Sequence, residues 1–344
     1  MTQAMLAWQA VGYGSPKDCL RLVSVPLPEP GTGELRLRVG AASLNPIDFK
    51  LLRGELRRVQ ALSFPVTLGF DASGIVDAVG PGASQFKLGD RVFVRASRDT
   101  LGAFAQYTVQ PEAFVAMSPV RTSVVGAASL PLVALTTVQG LVDRAQARPG
   151  QRILIHAGSG GLGSFAIQYA RWLGLQVDST TSSRNVERVR AHGAHDVIAY
   201  DREDYAGRGR VYDIVFDTLG GGHTLKAFRV LKPGGCVVSV AGPPDREMIA
   251  KFGRNLVVRT VMQLMSRRVH AAARAGNARY FRYLTESNGA QLQAIAHLVD
   301  SGEVRPVVDR VFDFSDAVAA FDYLMSGHAQ GKVILDMELR PVEE

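Results

Sequence analysis

Apolar and polar positions change rhythm twice along this 344-residue chain. Over residues 20–120, short runs such as ELRLRVGAASL, GIVDAVG, RVFVRA and FAQYTV alternate and are broken by Pro and Gly, which predicts an irregular β domain. Over 150–285, apolar strands (RILIHAG, LQVDSTTS, DVIAYD, VYDIVFDTLG, CVVSVAGPP) are separated by stretches with helical spacing (FAIQYARWLG, NVERVRAHG, HTLKAFRVLKPGG). That alternation predicts a doubly wound parallel sheet. The last zone is mixed: helix QLQAIAHLVDSG, strand RPVVDRVF, helix DAVAAFDYLMSG and strand GKVILDM. With no repeat or linker between zones, the parallel-sheet domain is expected to be sandwiched between two parts of the β domain.

The strand RILIHA runs into a turn made of Gly158, Ser159, Gly160, Gly161, Leu162 and Gly163, and a helix begins near Ser164. Gly158 permits the tight turn, Gly160 lets backbone approach a pyrophosphate, and Gly163 allows the helix to pack closely on the strand. Exposed amides and the positive end of the helix dipole attract phosphate, so the stretch reads as a dinucleotide cradle. An acidic residue at the tip of the next strand would select NAD. Asp178 has the right spacing but lies inside LQVDSTTS, and the tip is Ser182, Ser183 and Arg184. Two hydroxyls and a guanidinium suit a 2′-phosphate, so NADPH is expected. An ordinary capped turn is the alternative.

Composition narrows the class. Apolar residues make up 47% and charged residues 21%, which describes a folded soluble protein. Cys19 and Cys236 cannot build a disulfide framework, and the N-terminus shows no export signal, so a cytoplasmic location is expected. Residues 122–142 are uncharged, but Gly126, Pro131 and Gly140 predict a buried loop and helix start rather than a membrane span. The net charge of +7 is concentrated in 246–282, where Arg246, Lys251, Arg254, Arg259, Arg267, Arg268, Arg274, Arg279 and Arg282 face the single acid Glu247. Phe252, Leu256, Val257, Met262, Leu264, Met265 and Val269 are interleaved at amphipathic spacing. A solvated helical excursion is expected, with weak contact to an anionic membrane surface or partner as the alternative. No nucleic-acid recognition motif accompanies the charge.

The stretches HAGSGGLG, ASLNPIDFK, SLPLVALTTVQGL, VIAYD, VFDTLGGGHTLKAFRVLKPGG and GKVIL resemble the zinc-independent quinone oxidoreductase branch of the medium-chain dehydrogenases/reductases, from Tyr13 to Leu335. The resemblance implies an α/β protein, with a GroES-like catalytic domain in 1–128 and 287–344 and a Rossmann domain in 129–286. It implies that Tyr200 packs beside the 2′-phosphate with Arg184, that Lys332 approaches the cofactor, that Thr136 lies near the nicotinamide, and that the protein is a homodimer. Ala241 and Gly242, after the strand CVVSV, are counted with the cofactor-binding residues. Helix 247–275 is longer than in the simplest members. In related alcohol dehydrogenases a cysteine and a Gly-His-Glu supply zinc ligands. Here the matching stretches read Asn45-Pro46-Ile47-Asp48 and Gly69-Phe70-Asp71, and neither an amide nor a phenyl ring suits zinc.

Other catalytic patterns fall away. Tyr13 and Lys17 have the spacing of a Tyr-x-x-x-Lys dyad, but Gly14 and Pro16 forbid the helix it needs. The histidines show no ligand spacing, and His156 ends a strand. Asn45, on a loop fixed by Pro46, is left to hydrogen-bond the nicotinamide ribose or a substrate carbonyl. The expected function is NADPH-dependent hydride transfer to quinones or to the C=C bond of α,β-unsaturated carbonyls, with the proton from water or an unassigned tyrosine. A non-catalytic NADPH-binding structural or regulatory protein is the alternative.

Overall fold

The computed structural model describes residues 3–57, 60–253 and 255–337. They form two units: the residues up to Leu135 with those from Glu286 onward, and Thr136–Thr285. The first division falls inside the helix Pro131–Val138, later than residue 128, because the Leu132 amide donates to Asp71 Oδ1 at 2.9 Å and ties the start of that helix to the first unit.

The contiguous unit holds a six-stranded parallel sheet. Its spatial order is Asp196–Ala199, Gln176–Thr181, Arg152–Ile155, Tyr212–Asp217, Leu231–Ser239 and Arg279–Arg282, which is 3-2-1-4-5-6 in chain order. The order reverses between Arg152–Ile155 and Tyr212–Asp217, the switch point at which such sheets bind ligands. Helix Gly161–Trp172 leaves the first of these strands and buries Phe165, Ala166, Ile167, Tyr169 and Ala170. Strand Leu231–Ser239 begins ahead of the Pro-Gly-Gly expected to precede it, its register with Tyr212–Asp217 shifting beside Tyr212.

The discontinuous unit is mostly antiparallel. Its larger sheet runs Val308–Asp313, Lys332–Asp336, Glu34–Leu44, Asp71–Val79, Arg91–Arg95 and Val115–Met117, with Tyr107–Pro111 also paired to Glu34–Leu44. A smaller sheet joins Leu20–Pro26, Ala4–Ala10 and Val66–Thr67. Leu35, Leu37, Leu44, Phe70, Phe104 and Phe321 fill the core between them and the helix Ala317–Met325. The Trp8 indole donates to the Phe314 carbonyl at 2.7 Å, closing the unit across 306 residues of chain.

Two expectations change in detail. Residues 124–144 fold as Val124–Ala128, Pro131–Val138 and a π-helical Gln139–Arg144, and no helix of the described residues is long and apolar enough to cross a membrane. The segment 247–275 is two helices, Arg246–Phe252 and Leu256–Ala275. Gly253 ends the first and the Asn255 side chain caps the second by accepting from the Val257 amide at 2.8 Å. Arg254, between them, lies outside the described residues.

Candidate functional site

The glycine turn is built from backbone. Ala157 takes a positive φ of 55°, and the Gly160 amide returns to its carbonyl at 3.1 Å, turning the chain from strand to helix. A Cβ on Gly163 would overlap the Ala157 carbonyl, and one on Gly158 would overlap the Ser179 hydroxyl. A Cβ on Gly160 would meet only the Ala157 carbonyl, at 3.5 Å. Gly160 caps helix Gly161–Trp172 without a side chain, so that helix presents its first amides uncapped. Uncapped amides at the positive end of a helix dipole bind phosphate, and a dinucleotide pyrophosphate fits here.

The strand tip beside the turn is polar. Ser159 Oγ accepts from Thr181 Oγ1 at 3.1 Å and from Asn185 Nδ2 at 3.4 Å, and Asn185 also donates to Ser182 Oγ at 3.1 Å. Arg184 is exposed and makes no ion pair or hydrogen bond among the described residues. Tyr200 is 64% exposed, and its amide donates to the Thr181 carbonyl, placing its ring at the end of the same strand. Asp178 is buried three residues earlier, accepting from Arg152 Nε and Nη2 at 3.0 and 2.7 Å and from the Tyr212 hydroxyl at 2.9 Å. It is spent inside the sheet. The sequence reading missed Asp201, which accepts from the Ser183 amide at 2.8 Å and its hydroxyl at 2.6 Å. Those bonds hold the exposed Asp201 carboxyl below the usual carboxylate range.

At the end of the central strands, His156 and Asp217 are fully buried, with Nδ1 and Oδ1 3.2 Å apart. Asp217 also accepts from Thr224 Oγ1 at 2.6 Å, Ser239 Oγ at 2.8 Å and the Gly220 amide at 3.0 Å. Burial opposes its charge, but the His156 contact and these donors outweigh it and hold the carboxyl well below its ordinary range. Ser239 accepts from the Gly242 amide at 2.8 Å and the Ala241 amide at 3.3 Å, shaping the turn after strand Leu231–Ser239. Thr136 Oγ1 lies 2.7 Å from Thr285 Oγ1, and the buried Tyr283 hydroxyl donates to the Thr136 carbonyl. Burial raises the Tyr283 phenol far above its ordinary range.

Asn45 belongs to the other unit and sits in a buried charged cluster. Pro46 opens helix Pro46–Leu52, and Asp48 Oδ2 accepts from the Asn45 amide at 2.7 Å. Asn45 is 2% exposed; its Nδ2 donates to the Ser43 carbonyl at 3.2 Å and to Asp71 Oδ2 at 2.9 Å. Lys332, 5% exposed, donates from Nζ to Asn45 Oδ1 and, at 3.4 Å, to Asp71 Oδ2. Both donors of the amide are therefore spent, and an Oδ1 lone pair is its remaining capacity. Arg95, cross-strand from Asp71, stacks 5.0 Å from the Phe70 ring centroid and donates from Nη1 to Ser287 Oγ at 2.9 Å.

Electrostatics in the cluster are dominated by burial. It pushes Asp48 up to about 8 and raises Asp71, lowers Arg95 to about 10 and lowers Lys332, with the opposite charges partly compensating. Asp48 Oδ1, Arg95 Nε and the neighbouring Arg98 Nη2 are buried without a hydrogen-bond partner among the described residues. Asp48, Asp71, Arg95 and Arg98 were not singled out from sequence. Asp48 and Asp71 were visible there only as members of the stretches Asn45-Pro46-Ile47-Asp48 and Gly69-Phe70-Asp71.

Residues 31–120 match the family described as alcohol dehydrogenase GroES-like domain, and 192–335 the family described as zinc-binding dehydrogenase. The chain is 33% identical over 345 residues to an NADPH-dependent alkenal/one oxidoreductase, chloroplastic, of Arabidopsis thaliana, covering 96% of this chain and 79% of the relative. It is 32% identical over 341 residues to a chloroplastic quinone-oxidoreductase homolog of Spinacia oleracea, covering 96% and 98%. Among solved structures, the quinone oxidoreductase from Coxiella burnetii superposes with a TM-score of 0.84 at 32% identity, covering 98% and 100%. Both curated relatives are named chloroplastic, which corrects the cytoplasmic expectation: two unpaired cysteines and the composition of the first residues do not fix a compartment. A zinc ion, which the second family description implies, does not fit the residues here. The Asn45 oxygen faces an ammonium that would repel a dication, and Phe70 offers only a ring.

Proposed function

The chain belongs to the quinone oxidoreductase branch of the medium-chain dehydrogenases/reductases, and on that premise we propose that it is an NADPH-dependent reductase of quinones and of the C=C bond of α,β-unsaturated carbonyls, working without zinc. The carrying observation is the Asn45 position, where an amide clamped by Lys332 and Asp71 stands at the place a metal-dependent relative would put a ligand. An alcohol needs its hydroxyl proton removed before it can give up hydride, and a metal usually eases that step. A conjugated carbonyl needs less help.

The backbone amides at the start of helix Gly161–Trp172, with Ser159 and Leu162, would hold the pyrophosphate, and Ala241 and Gly242 the cofactor beyond it. Ser182, Ser183, Arg184 and Tyr200 would hold the 2′-phosphate; Asp201 keeps the Ser183 hydroxyl turned toward itself, which leaves Arg184 as the main charge partner. Bound NADPH supplies the hydride. With its amide donors spent, Asn45 is suited to accept from a ribose hydroxyl, with Lys332 orienting it and Thr136 beside the nicotinamide. Arg95 Nε, a buried donor without a hydrogen-bond partner among the described residues, is suited to meet charge growing on the acceptor oxygen. A homodimer and a weak membrane-surface contact through 246–282 complete the proposal.

Purified protein should oxidise NADPH with 1,4-benzoquinone, 2-alkenals or both, keep its rate after dialysis against chelator, and ignore ethanol. Arg95→Gln should lower kcat by ~10²-fold, the scale of one lost oxyanion donor. Oxidation of simple alcohols with neither acceptor class reduced would overturn the proposal. NADPH binding without turnover of any acceptor would assign the chain to the non-catalytic alternative.

A further inference from the structure

Helix Leu256–Ala275 has two apolar faces. Met262, Ser266, Val269 and Ala273, spaced i, i+4, i+7, i+11, are buried and hold it to its own unit. Val257, Val261, Leu264 and Met265 repeat the helical spacing about a third of a turn away and are exposed, Leu264 by 58% and Met265 by 61%, with Leu256 exposed by 78%. The helix carries Arg259, Arg267, Arg268 and Arg274 and no acid, and all four guanidiniums are exposed without an ion pair among the described residues. Arg268 continues the apolar stripe, and Arg267 and Arg274 lie together about a third of a turn to one side of it. At 1.5 Å per residue the stripe from Val257 to Arg268 is about 17 Å long, on a helix of about 30 Å.

We propose that this face docks on an anionic lipid surface, its apolar stripe entering the headgroup boundary and its arginines pairing with lipid phosphates. Charge decides the occupant. A second copy meeting this face across a two-fold axis would bring arginine against arginine with no carboxylate on either helix, whereas an anionic bilayer offers both the apolar layer and the counter-charge. The proposal sharpens the contact assigned above to 246–282 and is independent of the reductase chemistry, whose site lies elsewhere in sequence.

The test is co-sedimentation of full-length protein with vesicles of phosphatidylcholine alone and of phosphatidylcholine with phosphatidylglycerol, alongside sedimentation velocity without lipid. Binding is expected only to the anionic vesicles and should be lost in high salt. The double variant Leu264→Glu with Met265→Glu should abolish it, and Arg267→Gln with Arg268→Gln should weaken it by about tenfold or more, both keeping NADPH turnover and solution mass unchanged. Equal binding to neutral vesicles, no binding to either, or a change of oligomeric state in the Glu variant would each overturn the proposal, the last by showing that a second copy covers the face. Loss of turnover in unmodified protein would count against the reductase function and leave the vesicle result standing.

Discussion

The glycine turn and the Asn45 cluster are built on opposite principles. The turn uses backbone amides from a few consecutive residues, and its side chains matter mainly by being absent. The cluster uses charged side chains brought together from remote points of the chain, Asn45 and Lys332 being 287 residues apart. A backbone site tolerates sequence drift wherever Cβ has room. A buried ionic site does not, because each member offsets the desolvation of the others.

The largest expected effect follows from removing one member of that set. Lys332→Met leaves the Asn45 oxygen without its donor and Asp71 with Arg95 as its remaining buried cation, which should cost about 3 kcal/mol of stability and nearly all turnover. Thermal unfolding of the variant checks it, and an unchanged midpoint would show that the cluster is not held by its charges.

On the other side of the comparison, Gly163→Val has no room against the Ala157 carbonyl and should weaken NADPH about tenfold to a hundredfold by overpacking. Calorimetric titration reads this directly. Arg184→Ala should act more narrowly, erasing a preference for NADPH over NADH of at least about tenfold, ~1.4 kcal/mol, by weakening NADPH alone. Equal affinity of the unmodified protein for both cofactors would break the assignment of the strand tip.

A pH series, read as a slope rather than as a loss, separates the two regions further. The folded Asp48 carboxyl is raised from 3.8 to about 8. Between those values the native state binds the proton that the unfolded chain has released, so stability falls as pH rises across that window and levels off above it. The slope is at most about 1.4 kcal/mol per pH unit. Asp48→Asn should flatten it, and an identical pH profile of the unfolding midpoint in both proteins would remove Asp48 from the account.

The cradle was legible because its information is local: four glycines between an apolar strand and a helix. The place of Asp178 inside its strand followed from the same local count. The cluster was legible only at Asn45 and, through family resemblance, at Lys332. Asp71 and Arg95 are residues that belong on surfaces by type, and nothing in their spacing shows that antiparallel pairing of Asp71–Val79 with Arg91–Arg95 buries them. Asp201 escaped notice for a related reason, since it reaches Ser183 from 18 residues away, beyond the end of the neighbouring strand Asp196–Ala199. The break at Gly253 was visible as a glycine but not as a stop, because the amphipathic pattern runs through it.

The two units also differ in when they can be completed as the chain leaves the ribosome. All six strands of Thr136–Thr285 emerge in one uninterrupted stretch, so that sheet can close on itself during translation. The sheet around Glu34–Leu44 cannot. One flank of that strand pairs with Lys332–Asp336, so its edge stays open until the chain has been synthesised through Asp336. During that interval an apolar strand edge is available to any other nascent chain, and it is there, rather than in the nucleotide unit, that a chaperone has something to shield.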